Sequence, residues 1–199
     1  EPAGDVTVEE ALNYEKPITG YTYNQNGQLV LDTENAGAYG NHRIRIPKLS
    51  GSGAEIDSIN DKLYSPHESK YNRLLNNEEG VQTYCVDYHS GVNNKAIAII
   101  QEISEGEQMI GGYTYYQTLY YDCEKQVEIS FEDYITVMGF TYDSLVLKLK
   151  TIEDKYNNLT DENLKNIKGI IIDRDFTYVL VDFPNAVDPD PTSGMFMFN

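Results

Sequence analysis

Tryptophan is absent from this chain of 199 residues, and cysteine, histidine and basic side chains are scarce, at two, three and fifteen respectively. Cys85 and Cys123 allow at most one internal disulfide. They do not make a metal site, because no second cysteine pair and no nearby histidine completes a ligand set. His42, His67 and His89 stand apart in sequence, and each reads as an ordinary surface or strand residue. No apolar run approaches the ~20 residues that span a bilayer. Set against 32 aspartates and glutamates, the few lysines and arginines leave a formal charge of −17. That balance argues against a nucleic-acid backbone or an anionic lipid surface as the main partner. It would attract a cationic protein or metal ions, and it also keeps a chain soluble. A start at Glu1 in place of methionine is the expectation for a trimmed or processed chain, with any signal peptide or anchor outside these residues.

Catalytic signatures are missing too. Gly51-Ser52-Gly53 is too short for a nucleophile elbow and reads as a linker before a helix. Asp188-Pro189-Asp190 and Asp173-Arg174-Asp175 lack the regular oxygen spacing and central glycine of a calcium loop, and solvated acids are the simpler reading. Abundant carboxylates alone do not fix two of them across a cleft, as glycoside hydrolysis requires. The expectation is no catalytic residue, no metal and no cofactor.

What the chain has in quantity is tyrosine: 17 residues, five of them between Tyr113 and Tyr121. A tyrosine ring covers apolar surface while its hydroxyl keeps a polar partner, so such a strand suits a packed layer or a binding surface. Alternation puts Tyr113 and Tyr115 on one face and Tyr116 and Tyr120 on the other. One pair is expected in the core and the other half exposed. A turn, a short strand through Val127 and Ile129, and a helix start at Ser130 follow, with Glu132 and Asp133 in the first turn where acids complement the helix dipole.

Residues 1–40 carry seven acids and one lysine and read as a loosely attached acidic lead-in. Asn26-Gly27 between Tyr21-Thr22-Tyr23 and Leu29-Val30-Leu31 predicts one hairpin there. A single domain is expected over 41–199. His42 to Lys48 alternates basic and apolar residues as a half-buried strand ending at Pro47, and it is the one basic patch. Ile56, Ile59, Leu63, Tyr71, Leu74 and Leu75 recur at helical spacing, predicting a helix from about Ala54 to Asn76 that Pro66 kinks or divides. Three β-rich runs follow, 80–89, 93–104 and 108–122, whose short connections make an antiparallel meander. Helices are expected at 131–138, from Thr141 or Asp143 to about Tyr156, and after Asp161. Strands are expected at 169–173, 176–183 and 194–199. The class is α+β, an antiparallel sheet with helices packed mainly on one face.

Meander geometry bears on the cysteines. With turns near Val92 and Gly106, Cys85 lies across from Ile99 or Ile100, and Cys123 sits about ten residues farther along the third strand, ~30 Å at ~3.3 Å per residue. A disulfide needs Cα atoms within ~7 Å, so two thiols are expected.

Several blocks, in order, resemble a bacterial extracytoplasmic module: Ile46-Pro47-Lys48-Leu49, Ile59-Asn60, Gly112-Tyr113, Tyr120-Tyr121-Asp122, Ile129 to Tyr134, Asp175-Phe176-Thr177-Tyr178, and Phe183 to Gly194. The module is a domain of unknown function that forms the outer part of lysozyme-sensing anti-sigma factors and accompanies some peptidoglycan deacetylases. The resemblance covers roughly residues 41–199. It implies an α+β domain outside the cytoplasmic membrane, secreted or anchored at the cell surface, without cofactor or catalysis of its own. It also implies a partner that is a basic protein such as lysozyme, or a cell-wall component. In lysozyme-binding members an aromatic follows a proline in the loop before the last strand. Here Val187 to Gly194 keeps two prolines and the glycine but has no such aromatic, which leaves the partner open.

These readings converge on a non-catalytic envelope binding or sensing domain, with Tyr113, Tyr115, Tyr116, Tyr120 and the loop Pro189, Asp190, Pro191, Thr192 and Ser193 as candidate contacts. The alternatives are an enzyme or accessory domain acting on peptidoglycan or glycans, and a structural spacer. Any membrane contact would come through a segment outside these residues.

Overall fold

The computed structural model describes residues 6–17, 21–31, 41–78, 83–107, 111–152, 160, 162–173, 176–183 and 193–198. Six strands form the main sheet in the order β1 (Val8–Pro17), β4 (Asn41–Leu49), β5 (Thr83–Val92), β6 (Ala96–Glu107), β7 (Gly111–Asp122) and β8 (Val127–Ile129). Between β1 and β4 in sequence, β2 (Tyr21–Tyr23) and β3 (Leu29–Leu31) pair as the hairpin that Asn26-Gly27 predicts, with Gly27 at φ +73°. All neighbours in the main sheet are antiparallel except β4 and β5. A parallel pair needs a crossover, and helix α1 (Ala54–Leu75) supplies it. The expected meander is therefore β5–β6–β7.

β1 was not evident as a strand. Residues 8–17, which composition makes part of a loose lead-in, pair with β4 along nearly its whole length. Pro47 lies inside β4 rather than ending it, and the ladder adapts: Glu10 faces Pro47 and Leu12 faces Ile46, so Ala11 is an extra residue where the proline has no N–H to give.

The α+β class holds, and the layering is richer than one covered face. On one side of the main sheet α1 packs Ile56, Ile59, Leu63 and Leu74 against Ile44, Ile46, Val86, Ile97, Ile99 and Leu119. Asn60 fixes its position by accepting from the Leu49 N–H at 2.7 Å and donating to the Leu49 carbonyl at 3.0 Å. The other side is covered by α2 (Phe131–Val137), α3 (Tyr142–Ile152) and a second antiparallel sheet, in the order β11 (Ser193–Phe198), β10 (Thr177–Asp182), β9 (Ile167–Ile172). The helix ends follow local rules. Ser130 accepts from the Asp133 N–H, Gly139 turns the chain at φ +88°, and Thr141 and Ser144 exchange hydrogen bonds at the start of α3.

β9 is an edge strand buried in the centre of the molecule, and its outer N–H groups need partners. Tyrosine hydroxyls provide them. The Ile170 N–H donates to Tyr120 of β7 at 3.0 Å, the Ile172 N–H to Tyr134 of α2 at 3.1 Å, and the Ile167 N–H to Tyr142 of α3 at 3.2 Å. Lys168 is an extra residue in the pairing with β10, which turns Ile167 to the same edge as Ile170 and Ile172. Tyr142 also donates to the Leu164 carbonyl at 3.1 Å. Close approach is enforced by glycine: a Cβ at Gly169 would stand 2.7 Å from Thr118 and 3.1 Å from the Tyr120 hydroxyl, and one at Gly91 would stand 2.5 Å from Ile171.

Neither cysteine is in a disulfide. Cys85 faces Ser104 and Ser104 faces Thr114, nine residues before Cys123. The turns centre near residues 94–95 and 109, later than the glycines suggest, but the separation along β7 is still ~30 Å.

Removing one of the β9 caps leaves a buried N–H without an acceptor, which costs ~1–3 kcal/mol. Urea denaturation of Tyr120→Phe and Tyr134→Phe should each show a loss of that order. Gly169→Ala, which pushes on the same contact, should lose ~1–3 kcal/mol. Tyr113→Phe should stay within ~0.5 kcal/mol of the parent.

Candidate binding surface

Strand alternation divides the β7 tyrosines as expected. Tyr120 is in the core, stacked on Tyr134 at 4.6 Å between ring centres. Tyr116 on the same face packs partly against that core, and its hydroxyl is pushed up to about 12 by burial and by neighbouring Glu102. Tyr113 and Tyr115 point to the opposite face, where α1 lies, but they are 79% and 49% exposed. The helix passes over the sheet diagonally: its start contacts β8 through Lys62–Glu128 and Glu55–Glu128, and its end reaches β1, where Lys16 donates to the Leu74 carbonyl. The corner at the β6–β7 connection therefore projects beyond its cover. Glu105 stands there opposite Tyr113. Burial, then the charge of Glu105 and a hydrogen bond to it, raise the Tyr115 hydroxyl above its usual range.

Beneath this corner is a polar cluster that the sequence does not announce. His67 of α1 is buried, with Nδ1 2.6 Å from the Tyr84 hydroxyl of β5. The Lys70 ammonium lies 5.4 Å from the centre of the Tyr84 ring. His67 Nε2 and Gln101 Oε1 are both buried, and neither makes a hydrogen bond of good geometry among the described residues. Burial lowers the His67 pKa, an effect that the Gln101 amide partly offsets. Burial also raises the Tyr84 hydroxyl. Two of the three histidines are thus interior rather than surface residues. His42 is 3% exposed and accepts from the Tyr84 N–H, while half-buried His89 lies 4.4 Å from Tyr178 between ring centres.

Pro66 does not divide α1, which runs unbroken. A proline cannot donate to the carbonyl four residues back and crowds that turn, so the Lys62 carbonyl loses its helical donor and that of Leu63 sits in the same crowded turn. The sheet meets them with two glutamines that face each other across β6 and β7: Gln117 Nε2 donates to the Lys62 carbonyl and Gln101 Nε2 to the Leu63 carbonyl, both at 3.2 Å. The readable signal was Gln101 interrupting the apolar alternation Ile97, Ile99, Ile103.

Other candidates fare differently. Arg43 and Arg45 are neutralised: Arg45 pairs with Glu10 at 2.9 Å and Asp87 at 2.8 Å, and Arg43 reaches Asp87 at 3.7 Å. Asp122 is nearly buried. Burial acts to raise its pKa, but hydrogen bonds from Lys125 and Glu124 and the Lys125 charge outweigh that and hold it below the usual range. Among the described residues no cluster of three or more histidine, cysteine, aspartate or glutamate side chains could hold a metal ion. Pro189, Asp190, Pro191 and Thr192 lie outside the described residues, as do Asp188, Arg174 and Asp175. Ser193 begins β11 and donates to Asp182 at 2.7 Å. It belongs to the layer on the opposite side of the main sheet from Tyr113 and Tyr115, so it is not gathered with them.

The fold and surface define an α+β domain with an aromatic, acid-flanked corner at one end of a long strand. No family model and no curated protein matches the sequence. Among solved structures, the chain is similar to a Bacteroides fragilis protein described as a member of the DUF3298 family. It is 9% identical over 98% of this chain and 90% of that one, with a TM-score of 0.40. That likeness is to a domain of unknown function, and it carries no statement about ligand or activity. The link to anti-sigma factors and deacetylases is not shown by these comparisons.

The buried imidazole makes stability depend on pH. His67 has a folded-state pKa below its ordinary 6.5, so the neutral ring's contribution is complete above the unfolded value and is lost as pH falls below it toward the lowered one. Urea denaturation at pH 7.5 and at pH 5 should show the parent losing more stability on acidification than His67→Gln. Equal losses would place the pH dependence elsewhere.

Proposed function

We propose that this chain is a non-catalytic binding domain of the bacterial cell envelope that takes a basic protein on the corner formed by Tyr113, Tyr115 and Glu105. The observation that carries the reading is the exposure of two adjacent same-face tyrosines on the chain's most tyrosine-rich strand, while others of that strand are packed. Interface anchors are commonly tyrosines, with large area and few rotatable bonds. The net charge of −17 favours a cationic partner through steering and patch complementarity. Extracytoplasmic placement and a lysozyme-like partner follow from the family resemblance of the sequence blocks.

Calorimetry of the purified chain with a basic c-type lysozyme at two salt concentrations tests this. Saturable binding that persists at the higher salt and weakens roughly tenfold in Tyr113→Ala or Tyr115→Ala is expected. Binding that vanishes with salt is plain charge attraction, and it would remove the corner as a recognition site.

A further inference from the structure

The two edges of the main sheet are built in opposite ways. β1 carries the usual guards against strand pairing: four charged residues among ten, Glu9, Glu10, Glu15 and Lys16, an extra residue at Ala11, and Pro17 at its end. On the other side, β8 pairs only with Tyr120, Tyr121 and Asp122 of β7. From Gly112 to Leu119 the outer edge of β7 forms no backbone hydrogen bond with any described residue. This stretch has no charge, no proline and no bulge, and its ladder with β6 runs through twelve consecutive pairs. Among the described residues, that contrast within one sheet makes the unpaired edge of β7 a feature to be explained.

We infer that the outer edge of β7 accepts an extended, basic segment of the partner polypeptide as an added strand. Resting on the binding role proposed above, this names the mode of contact. Main-chain hydrogen bonds along Gly112–Leu119 supply affinity, and alternate side chains of the added strand supply specificity. On one face those side chains run beside Tyr113 and Tyr115, whose rings accept lysine or arginine in cation–π contact, with Glu105 behind them. A second copy of this chain fits poorly, since pairing two molecules of formal charge −17 sets like charge against like.

The probe is an acetylated, amidated octapeptide of alternating lysine and valine, compared with its glutamate–valine counterpart. Two lysine–valine analogues are N-methylated at every other residue, one in each frame; the one whose methyl groups face β7 cannot form the ladder, while the other keeps its pairing edge. The lysine peptide should bind saturably and slow amide exchange within Gly112–Leu119. N-methylation in one frame should weaken it roughly tenfold or more, as loss of the ladder demands, with the other frame affected far less, and the glutamate peptide should not bind. Tyr113→Lys, at a position 79% exposed and so harmless to folding, should weaken the lysine peptide and leave urea stability unchanged. Equal affinity of both methylated peptides and the unmethylated one overturns strand addition in favour of charge alone. Protection of the same amides on raising protein concentration without peptide overturns it in favour of self-pairing. If lysozyme binds and the peptide does not, strand addition alone fails; if neither binds, the proposed function fails with it.

Discussion

The sealed edge of β9 is the constraint on which the rest of the architecture depends. A strand brought into the middle of a protein with one side unpaired carries N–H groups that cannot be left without acceptors. Here three hydroxyls, from a strand and two helices that are separate in sequence, converge on that side. Each ring also packs as apolar surface, so Tyr120 and Tyr134 fill the core between the layers and satisfy its polar seam. The tyrosine richness of the chain thus has a structural cause: phenylalanine would fill the same space and leave the backbone of β9 unsatisfied.

The opposite face obeys a similar rule with different chemistry. Pro66 breaks the hydrogen-bond ladder of α1, and two glutamines standing side by side on the sheet take up the exposed carbonyls. The helix remains continuous because the sheet completes it. The cluster of His67, Tyr84 and Gln101 is the adjoining part of the same polar inlay, set in an otherwise apolar layer. To one side of the diagonal course of α1, the corner at the β6–β7 connection lies beyond the helix's cover, and the exposed tyrosines there belong to neither core cluster.

What could be read in advance followed from local rules. Asn26-Gly27 specified a hairpin, Ser130 and Gly139 the limits of a helix, and alternation the two faces of β7, because each is set by residues a few positions apart. The hidden parts depend on distant pairing. Pro66 read as a kink or a division because its compensating glutamines lie 35 and 51 positions later. β1 read as a lead-in because its charges, which protect a sheet edge, look like solvated coil. His42 read as a strand residue and lies in one, but the depth of its burial, like that of His67, is a property of the layer that closes over it. The open edge of β7 could not be seen at all from sequence, since it depends on how short β8 is. Of the candidate contacts Pro189 to Ser193, only Ser193, the first residue of β11, falls among the described residues, and it stands apart from the exposed tyrosines.

Native-state hydrogen exchange resolved by residue, on the chain without any partner, tests the central contrast between a sealed edge and a bare one. The account predicts that the Ile170 and Ile172 amides exchange only through global unfolding, while the outward-facing amides between Gly112 and Leu119 exchange far faster than their β6-bonded neighbours. Rapid local exchange at Ile170 and Ile172, or full protection along the outer edge of β7, would contradict it.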